Sequence, residues 1–193
     1  MRRCRPRSAT TPTDSLEAER VLTVVPVFPV VTVVRLTPDN WRRWRELRLA
    51  ALAEAPAAFG STLAEWTGAA NAEDRWRARL RSVPFNAIIT CDGTPAGMVG
   101  ATLVHDDGAM NAGAVELLSM WVAPEFRGRG VGDAAVRAVI DWAGVNCPLR
   151  AVVLSVKAAN DRAIDLYARH GFVEFGQSPD GPDELLMRRD AEC

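Results

Sequence analysis

One segment of the chain limits the possible folds more than any other: MWVAPEFRGRGVGDAAVRAVIDWA, residues 120–143. An apolar run ends at Pro124, glycines follow at positions 128, 130 and 132, and a helical pattern then begins. Glycines at this spacing leave successive amide hydrogens uncovered and permit a positive φ. The N-terminus of the following helix adds unpaired N–H groups and partial positive charge. The segment therefore predicts a strand, an anion-binding turn and a helix, suited to a phosphate or diphosphate.

Arg127 and Arg129 place positive charge at the rim of this predicted turn. Other nucleotide-binding fingerprints fit the segment poorly. A dinucleotide fingerprint requires an acidic residue at the end of a following parallel strand, and a nucleoside-triphosphate loop requires Gly-Lys-Ser/Thr. Neither is found here. The plain alternative is a solvated strand-to-helix turn whose arginines only confer solubility.

The first part of the chain that has a clear apolar pattern predicts one strand and two helices. VTVVRL, residues 31–36, is rich in β-branched residues and predicts a strand. Thr37 and Pro38 are typical of a helix start. The face of that helix consists of Trp41, Trp44, Leu47 and Ala51. At helical spacing beside leucine this pattern favours core packing over an aromatic ligand cage. A second helix is predicted over about residues 71–81.

From residue 85 the apolar period changes to that of strands. FNAIIT, MVGATLVH and AVELLSMWVA are predicted strands, and the Asp-Gly pair between the first two is a hairpin signal. The predicted helix after the glycines reaches about Asn146, and the strand RAVVLSV follows it. A helix ending at Gly171 and the strands FVEF and ELLMRR close the chain. This order predicts an α/β fold: a mixed, mostly antiparallel central sheet with helices on both faces.

Length and composition set the expected domain organisation and partners. The 193 residues are enough for one well-buried domain. We expect residues 1–20 to be a disordered basic and polar leader and residues 21–193 to form a single domain. The apolar run after the leader is interrupted by Pro26 and Pro29 and is too short to span a bilayer, so we expect a cytoplasmic protein with no membrane partner. The net charge of -1 gives no reason to expect a nucleic-acid partner.

The 4 cysteines argue against a metal site. Cys4, Cys91, Cys147 and Cys193 are scattered, form no CxxC pair and have no histidine at ligand spacing. We therefore predict free thiols in a reducing compartment and no bound metal.

A second cluster of informative residues, NDRAIDLYARHGF, begins at Asn160. Asn160 is placed to cap a helix, and Ala163, Ile164 and Tyr167 share one face of it. Tyr167 is the only tyrosine in the chain. It can be a core aromatic residue, or a phenol at the sheet edge that protonates a leaving group such as a thiolate. The residues alone leave both interpretations open.

Together the two motifs resemble the GNAT superfamily of acyl-CoA-dependent N-acyltransferases. The family patterns are Gln/Arg-x-x-Gly-x-Gly/Ala, met by Arg127, Gly130 and Gly132, and Asn-x-x-Ala-x-x-x-Tyr, met by Asn160, Ala163 and Tyr167. In element order the resemblance covers about residues 31–189, and its specific motifs lie between Glu116 and Phe172. Either motif alone is common, but their order and separation make the resemblance strong.

The resemblance implies a fold and a cofactor site. Two central parallel strands splay apart, and the pantetheine arm of acetyl-CoA lies in the gap, paired with backbone at 120–122. The diphosphate lies on the amides of residues 129–132. The implied cofactor-binding residues are Met120, Trp121, Val122, Arg127, Gly128, Arg129, Gly130, Val131, Gly132, Asn160, Ala163 and Tyr167.

The resemblance also implies a mechanism in which the amine attacks the thioester directly, with no covalent enzyme intermediate. A backbone N–H near Val122 supports the oxyanion, and Tyr167 protonates the departing thiolate. Glu116, on the strand before the loop, is the implied base that removes a proton from the ammonium, directly or through water. His105 and His170 are candidates by residue type only, ranked below Glu116.

The amine acceptor is the least constrained part of the prediction. The pocket is expected along about residues 55–66 and the loop GQSPDGPDE, where Asp180, Asp183 and Glu184 can recognise a cation or form a merely solvated loop. The sequence does not distinguish a small-molecule amine from a peptide as the acceptor. The family resemblance also suggests a homodimer. The expected function is N-acetylation of a primary amine. The alternative is a module of the same fold that senses acyl-CoA without catalysis.

Overall fold

The computed structural model describes residues 28–104, 113–178 and 181–191. The predicted leader, residues 1–20, lies outside the described residues. The strands are β1 (Val31–Arg35), β2 (Phe85–Cys91), β3 (Thr94–Leu103), β4 (Val115–Val122), β5 (Val152–Lys157), β6 (Val173–Gln177) and β7 (Glu184–Arg189). The α-helices are α1 (Trp41–Glu54), α2 (Glu73–Ser82), α3 (Val131–Asn146) and α4 (Asp161–Arg169). Short 3-10 turns lie at Pro38–Asn40, Pro56–Ala58, Ala64–Trp66, Gly68–Ala70 and Pro124–Phe126.

The seven strands form one sheet in the order β1-β2-β3-β4-β5-β7-β6. Neighbouring strands are antiparallel except for the central pair β4 and β5, which is parallel. The prediction of a mixed, mostly antiparallel sheet in an α/β fold is therefore confirmed.

Helices cover both faces of the sheet and create two apolar cores. On one face, α3 packs against β1 to β4 through a stripe that includes Val131, Val136 and Val139. On the other face, α1 and α2 pack through Trp44 and Trp76. Both tryptophans are essentially inaccessible to solvent, and burial of a large apolar side chain contributes about 1.5–3 kcal/mol. The prediction that the tryptophans of α1 are core residues is confirmed.

The start of α1 differs slightly from the prediction. Pro38–Asn40 form a 3-10 turn, and the regular helix begins at Trp41. The side-chain oxygen of Asn40 accepts a hydrogen bond from the backbone N–H of Thr37, at 2.9 Å. This contact satisfies a donor near the helix start, where the backbone has no partner in the helix itself.

The parallel pair β4–β5 is joined only at its beginning. Val115 pairs with Val152 and Glu116 pairs with Val153, and no pairing continues beyond them. From residue 117 the two strands diverge, as the resemblance implied for the central pair. The divergence opens the centre of the sheet at the carboxyl ends of both strands.

β4 also contains a β-bulge, centred on Ser119. Trp121 pairs with Met98 of β3 while Leu118 pairs with Gly100, so two residues of β4 oppose one of β3. Ser119 has a φ of 55°. Leu117 and Trp121 would share a face in a regular strand, since side chains alternate with a period of two. Instead Leu117 packs in the core under α3 and Trp121 packs in the core under α1 and α2. The bulge thus resets which side chains face each core.

Candidate functional site

A groove of about 700 Å³ lies where β4 and β5 diverge. Its floor is formed by residues 117–122 of β4 and residues 155–156 of β5. The glycine turn and α4 form one wall, and the end of α1 with Phe59 forms part of the opposite wall. Most of the predicted cofactor-binding residues line it: Met120, Trp121, Val122, Arg127, Gly128, Gly130, Gly132, Asn160, Ala163 and Tyr167. Two separate sequence motifs thus meet in one cavity.

The edge of β4 that faces the groove is free of strand pairing. The Ala123 N–H donates to the Ala96 carbonyl of β3, at 2.9 Å. Because hydrogen-bonding direction alternates along a strand, the N–H and C=O of Val122 point the other way, towards the gap. Met120, two residues earlier, presents its backbone to the same edge. An extended polar chain can therefore pair with this edge as an added strand.

The glycine turn adopts the positive-φ geometry predicted from its sequence. Gly128 has a φ of 79° and Gly130 has a φ of 81°. A Cβ at either position would meet no heavy atom within 4 Å, so the surface above both residues is open. Gly130 is the N-cap of α3, whose first-turn N–H groups have no partner within the helix. The turn thus presents uncovered main-chain donors at the positive end of a helix dipole.

Gly132 is required for a different reason, the close packing of α3 on α4. A Cβ there would lie 3.0 Å from Cδ2 of Leu166. Val131, between the two glycines, is fully buried in the core. Its side chain is therefore out of reach of a ligand, and only its backbone can serve the predicted site.

Arg127 is held by groups of the protein itself. Its Nη2 donates to both carboxylate oxygens of Glu54, at 3.0 and 2.9 Å, and its Nε donates to the Val122 carbonyl at 3.1 Å. The indole N–H of Trp121 donates to Glu54 at 2.9 Å. The Trp121 hydrogen bond and then Arg127 hold the pKa of the Glu54 carboxyl below its ordinary value. Arg127 therefore fixes the glycine turn against the end of α1, while Arg129 is solvent-exposed beside the Phe126 ring.

Glu54 is a groove residue that the sequence analysis missed. It is the last residue of α1, where the helix dipole disfavours a carboxylate. An acidic residue at the end of a predicted helix was the only sign of this role in the sequence. The sign is weak because Trp121 and Arg127, which bind the Glu54 carboxylate, are far away in the chain.

Tyr167 lies on α4 where the groove meets the core. Its side chain is only 6% exposed, its ring packs 5.9 Å from that of Phe172, and it lines the groove. Burial raises the pKa of the Tyr167 phenol well above its ordinary value. Tyr167 is thus a core aromatic residue that also borders the groove. Asn160 caps the same helix by accepting a hydrogen bond from the Ala163 N–H, at 3.2 Å.

The candidate bases are placed less favourably. Glu116 lies in the part of β4 that still pairs with β5, opposite Thr102 of β3, and is not among the groove-lining residues. Nε2 of His170 lies 3.1 Å from the carboxylate of Asp133; Asp133 lines the groove, but His170 does not. His105 falls outside the described residues. The role of Glu116 stays a prediction.

Part of the expected acceptor pocket lines the groove and part does not. Ala55, Ala58 and Phe59 belong to its wall. In the other segment, Lys157 forms ion pairs with Asp183 at 3.2 Å and with Glu184 at 2.8 Å. The hydrogen bonds that Lys157 donates to Glu184 and then to Asp183 raise its pKa. These two carboxylates are therefore already paired with a cation of the chain, and Asp180 is outside the described residues.

The described ranges contain neither a membrane-spanning helix nor a cluster of metal-binding side chains. None of the helices there is long and apolar enough to cross a bilayer. Residues 28–104, 113–178 and 181–191 contain no group of three or more histidine, cysteine or acidic side chains able to hold a metal ion. Cys91 and Cys147 are buried free thiols, and the other two cysteines fall outside these ranges.

Comparison with known proteins identifies a family. Residues 41–172 match the profile of the Acetyltransferase (GNAT) family. The chain is 31% identical over 107 residues to a putative ribosomal N-acetyltransferase, YdaF, of Bacillus subtilis, covering 55% of this chain and 56% of that protein. It is 36% identical over 91 residues to N-acetylaspartate synthetase of Homo sapiens, covering 47% of this chain and 28% of that protein. The matches thus span about half of the first relative and less than a third of the second.

The fold is shared with solved structures. One is yncA, a putative acetyltransferase from Salmonella typhimurium solved with its cofactor acetyl-CoA. The TM-score is 0.65 at 20% sequence identity, over 85% of this chain and 95% of that chain. At this identity the likeness concerns the fold alone.

Proposed function

Because the chain belongs to the acetyltransferase (GNAT) family, we propose that it transfers an acetyl group from acetyl-CoA to a primary amine. One observation carries the proposal: the diverging β4 and β5 bring the unpaired strand edge, the open glycine turn and Tyr167 to a single groove. Each of these features suits a different part of one acyl-CoA molecule, and no other ligand considered from the sequence uses all three.

The residues present fit acetyl-CoA. The backbone surface above Gly128 and Gly130 is open, and the main-chain donors there suit the diphosphate. The β4 edge at Met120 and Val122 suits the amide groups of the pantetheine arm. Arg129 is exposed near the turn and adds positive charge for the phosphates. When bound, acetyl-CoA supplies the activated acetyl group as a thioester.

Tyr167 is proposed as the proton donor to the CoA thiolate. Its raised pKa keeps the phenol protonated throughout the neutral range, so the donor form is always present. Among the described residues none is hydrogen-bonded to the hydroxyl, which is therefore available to a group in the groove. A proton on the departing sulfur prevents the thiolate from attacking the new amide.

The other proposed roles belong to β4. The Val122 N–H, which points into the gap, is placed to donate to the oxygen that gains negative charge when the amine attacks. Glu116 is the proposed base, acting through water because it stands outside the groove wall. Attack is direct, from a complex in which both substrates are bound.

The proposed acceptor class is a primary amine, small or peptidic. The names of the relatives point to different acceptors, a ribosomal component in one and aspartate in the other, so they do not select one for this chain. A cytoplasmic location, a single domain over 21–193 and a homodimer belong to the same proposal.

Release of CoA thiol, measured with acetyl-CoA and a panel of amines, tests the proposal. We expect thiol release that depends on one class of amine, with a matching acetylated product seen by mass spectrometry. The purified chain with CoA alone gives the binding control by calorimetry. Tight CoA binding without acetylation of any amine would instead favour the non-catalytic sensor.

A further inference from the structure

We propose that the amine acceptor carries a carboxylate, the class to which free amino acids belong, and that Arg48 and Arg79 recognise it. The proposal rests on the proposed acetyltransferase function and names its substrate class. It concerns the α1–α2 side of the groove, defined here as α1, α2 and Phe59, which none of the sequence motifs addressed.

Arg48 is a buried arginine without a partner. Its residue is 8% exposed, and its Nη1 is inaccessible and forms no hydrogen bond with any of the residues described. Its guanidinium lies 4.4 Å from the centroid of the Phe59 ring. Burial and, second, the nearby positive charge of Arg79 together lower the pKa of Arg48 to about 10. The side chain therefore remains a cation at neutral pH.

Arg79, from α2, is the second cation of the pair. It donates to Asn86 and to the hydroxyl of Ser119, each at 3.2 Å, and stands 5.4 Å from the Trp44 ring centroid. Burial lowers its pKa to about 10. Neither arginine forms an ion pair with a carboxylate of the described chain, although other arginines of these helices, such as Arg42 and Arg77, do.

Two like charges held together away from water are costly unless an anion joins them. A buried charge without a counter-ion is among the most expensive features of a protein interior. The contacts with Phe59 and Trp44 offset part of this cost, at about 0.5–2 kcal/mol for each cation–π contact. They leave the buried Nη1 of Arg48 without a hydrogen-bond acceptor among the described residues, and a guanidinium presents five donors in a fork that matches a carboxylate.

The pair is adjacent to the groove. Phe59, which covers Arg48, and Ser119, which accepts from Arg79, both line the cavity. The two arginines lie behind these lining residues and do not line the cavity themselves, so a carboxylate in the groove would reach the guanidinium groups by displacing the Phe59 ring. Phe59 lies outside regular secondary structure and is partly exposed, so it can move without breaking a helix or strand.

The surrounding charge favours the same class of ligand. The sequences WRRWRELRLAALAE of α1 and EDRWRARLRS of α2 contain eight arginines and four acidic residues. This excess attracts anions to the α1–α2 side. It opposes the recognition of a polyamine, which lacks a negative group.

The experiment compares amines in matched pairs, each an amino acid and its amide, at saturating acetyl-CoA. We expect the unaltered protein to prefer the acid by about tenfold or more. Arg48→Met should raise KM for the acid by about 10- to 100-fold, as for loss of hydrogen bonds to a charged group, and leave KM for the amide and for acetyl-CoA unchanged. Arg137→Met, which removes an exposed arginine of α3 that does not line the groove, should change none of these values.

A fold control accompanies the kinetics. Because Arg48 has no described partner, Arg48→Met should unfold at or above the temperature of the unaltered protein. Should that variant not fold, Arg48→Lys keeps the charge and loses the fork, and an intermediate rise in KM for the acid supports the assignment. Equal use of acids and amides by the unaltered protein, or an equal change in both KM values in Arg48→Met, would overturn it.

Calorimetric titration of N-acetyl amino acids and their amides, with CoA present, separates this inference from the proposed function. If only the amides are acetylated, the acetyltransferase function is supported and the proposed carboxylate site is wrong. A different outcome would support the carboxylate site and count against the acetyltransferase function. In that outcome no amine is acetylated, but the acid form binds and Arg48→Met abolishes its binding. Equal binding of acid and amide forms counts against the arginine pair whatever the kinetics show.

Discussion

The two sides of the groove offer different kinds of chemical group to a ligand. The glycine-turn side, residues 120–132, offers main-chain groups: an unpaired strand edge and the N–H donors ahead of α3. The α1–α2 side offers side chains, chiefly Arg48, Arg79 and Phe59. Main-chain recognition depends on backbone conformation, which a few glycines dictate. Side-chain recognition depends on which residues of distant segments meet, and therefore can vary while the fold and the cofactor site stay the same.

Tyr167, on α4, lines the same groove, and its substitution should have the largest effect. Tyr167→Phe keeps the buried ring and removes only the hydroxyl, so we expect kcat to fall by about 10²- to 10⁴-fold with little change in KM for acetyl-CoA. Steady-state kinetics and calorimetric CoA binding measure the two quantities separately. Retention of the full rate would give the proton-donor role to another group, and loss of CoA binding would show that the hydroxyl serves the cofactor instead.

Gly130→Val tests the main-chain side alone. A branched side chain is strained at a φ of 81°, at a cost of about 1–2 kcal/mol for the left-handed conformation, and its bulk occupies the open surface above the turn. We expect KM for acetyl-CoA to rise about tenfold or more while KM for the amine is unchanged. Gly144→Ala, in the last turn of α3 and without a positive φ, is the matched control. A normal KM in Gly130→Val would exclude the turn as the diphosphate site.

Glu54 joins the two sides, and its loss should have the smallest effect. In Glu54→Gln the ion pair with Arg127 is removed, and both groups are about a third exposed. Pairs of this exposure contribute about 0.2–1 kcal/mol, so KM for acetyl-CoA should rise by no more than about fivefold. Initial rates measured at varied acetyl-CoA concentration give this KM. A change as large as that in Gly130→Val would mean that the turn depends on Glu54 for its shape.

The same variant carries a pH prediction. Because the folded-state pKa of Glu54 lies below its unfolded value of 4.5, its contribution to stability is present above pH 4.5 and is lost as the pH falls through the folded value. The unaltered protein should therefore lose more stability than Glu54→Gln on acidification below pH 4.5. Thermal unfolding of both proteins across that pH range measures this difference in stability. Parallel pH profiles of the unfolding temperature would contradict the prediction.

Much of the fold followed from sequence pattern. The order of strands and helices was predicted, and so was the glycine turn, because proline, glycine and the apolar period act over a few residues. The start of α1 was predicted at Thr37 and Pro38, but a short 3-10 turn occupies Pro38–Asn40 and the helix begins at Trp41. The β-bulge at Ser119 could not be anticipated, since the nearly continuous apolar run of β4 is compatible with either phase of alternation.

What the sequence determined by itself is the main-chain part of the site: the glycines that allow a positive φ and the helix that follows them are local properties of residues 128–146. What only the tertiary structure decided is the tie between Glu54 and Arg127 and the hydrogen bond from Arg79 to Ser119. These contacts join residues that are far apart in the chain. Their physical basis is side-chain packing between separate elements, which no local pattern encodes.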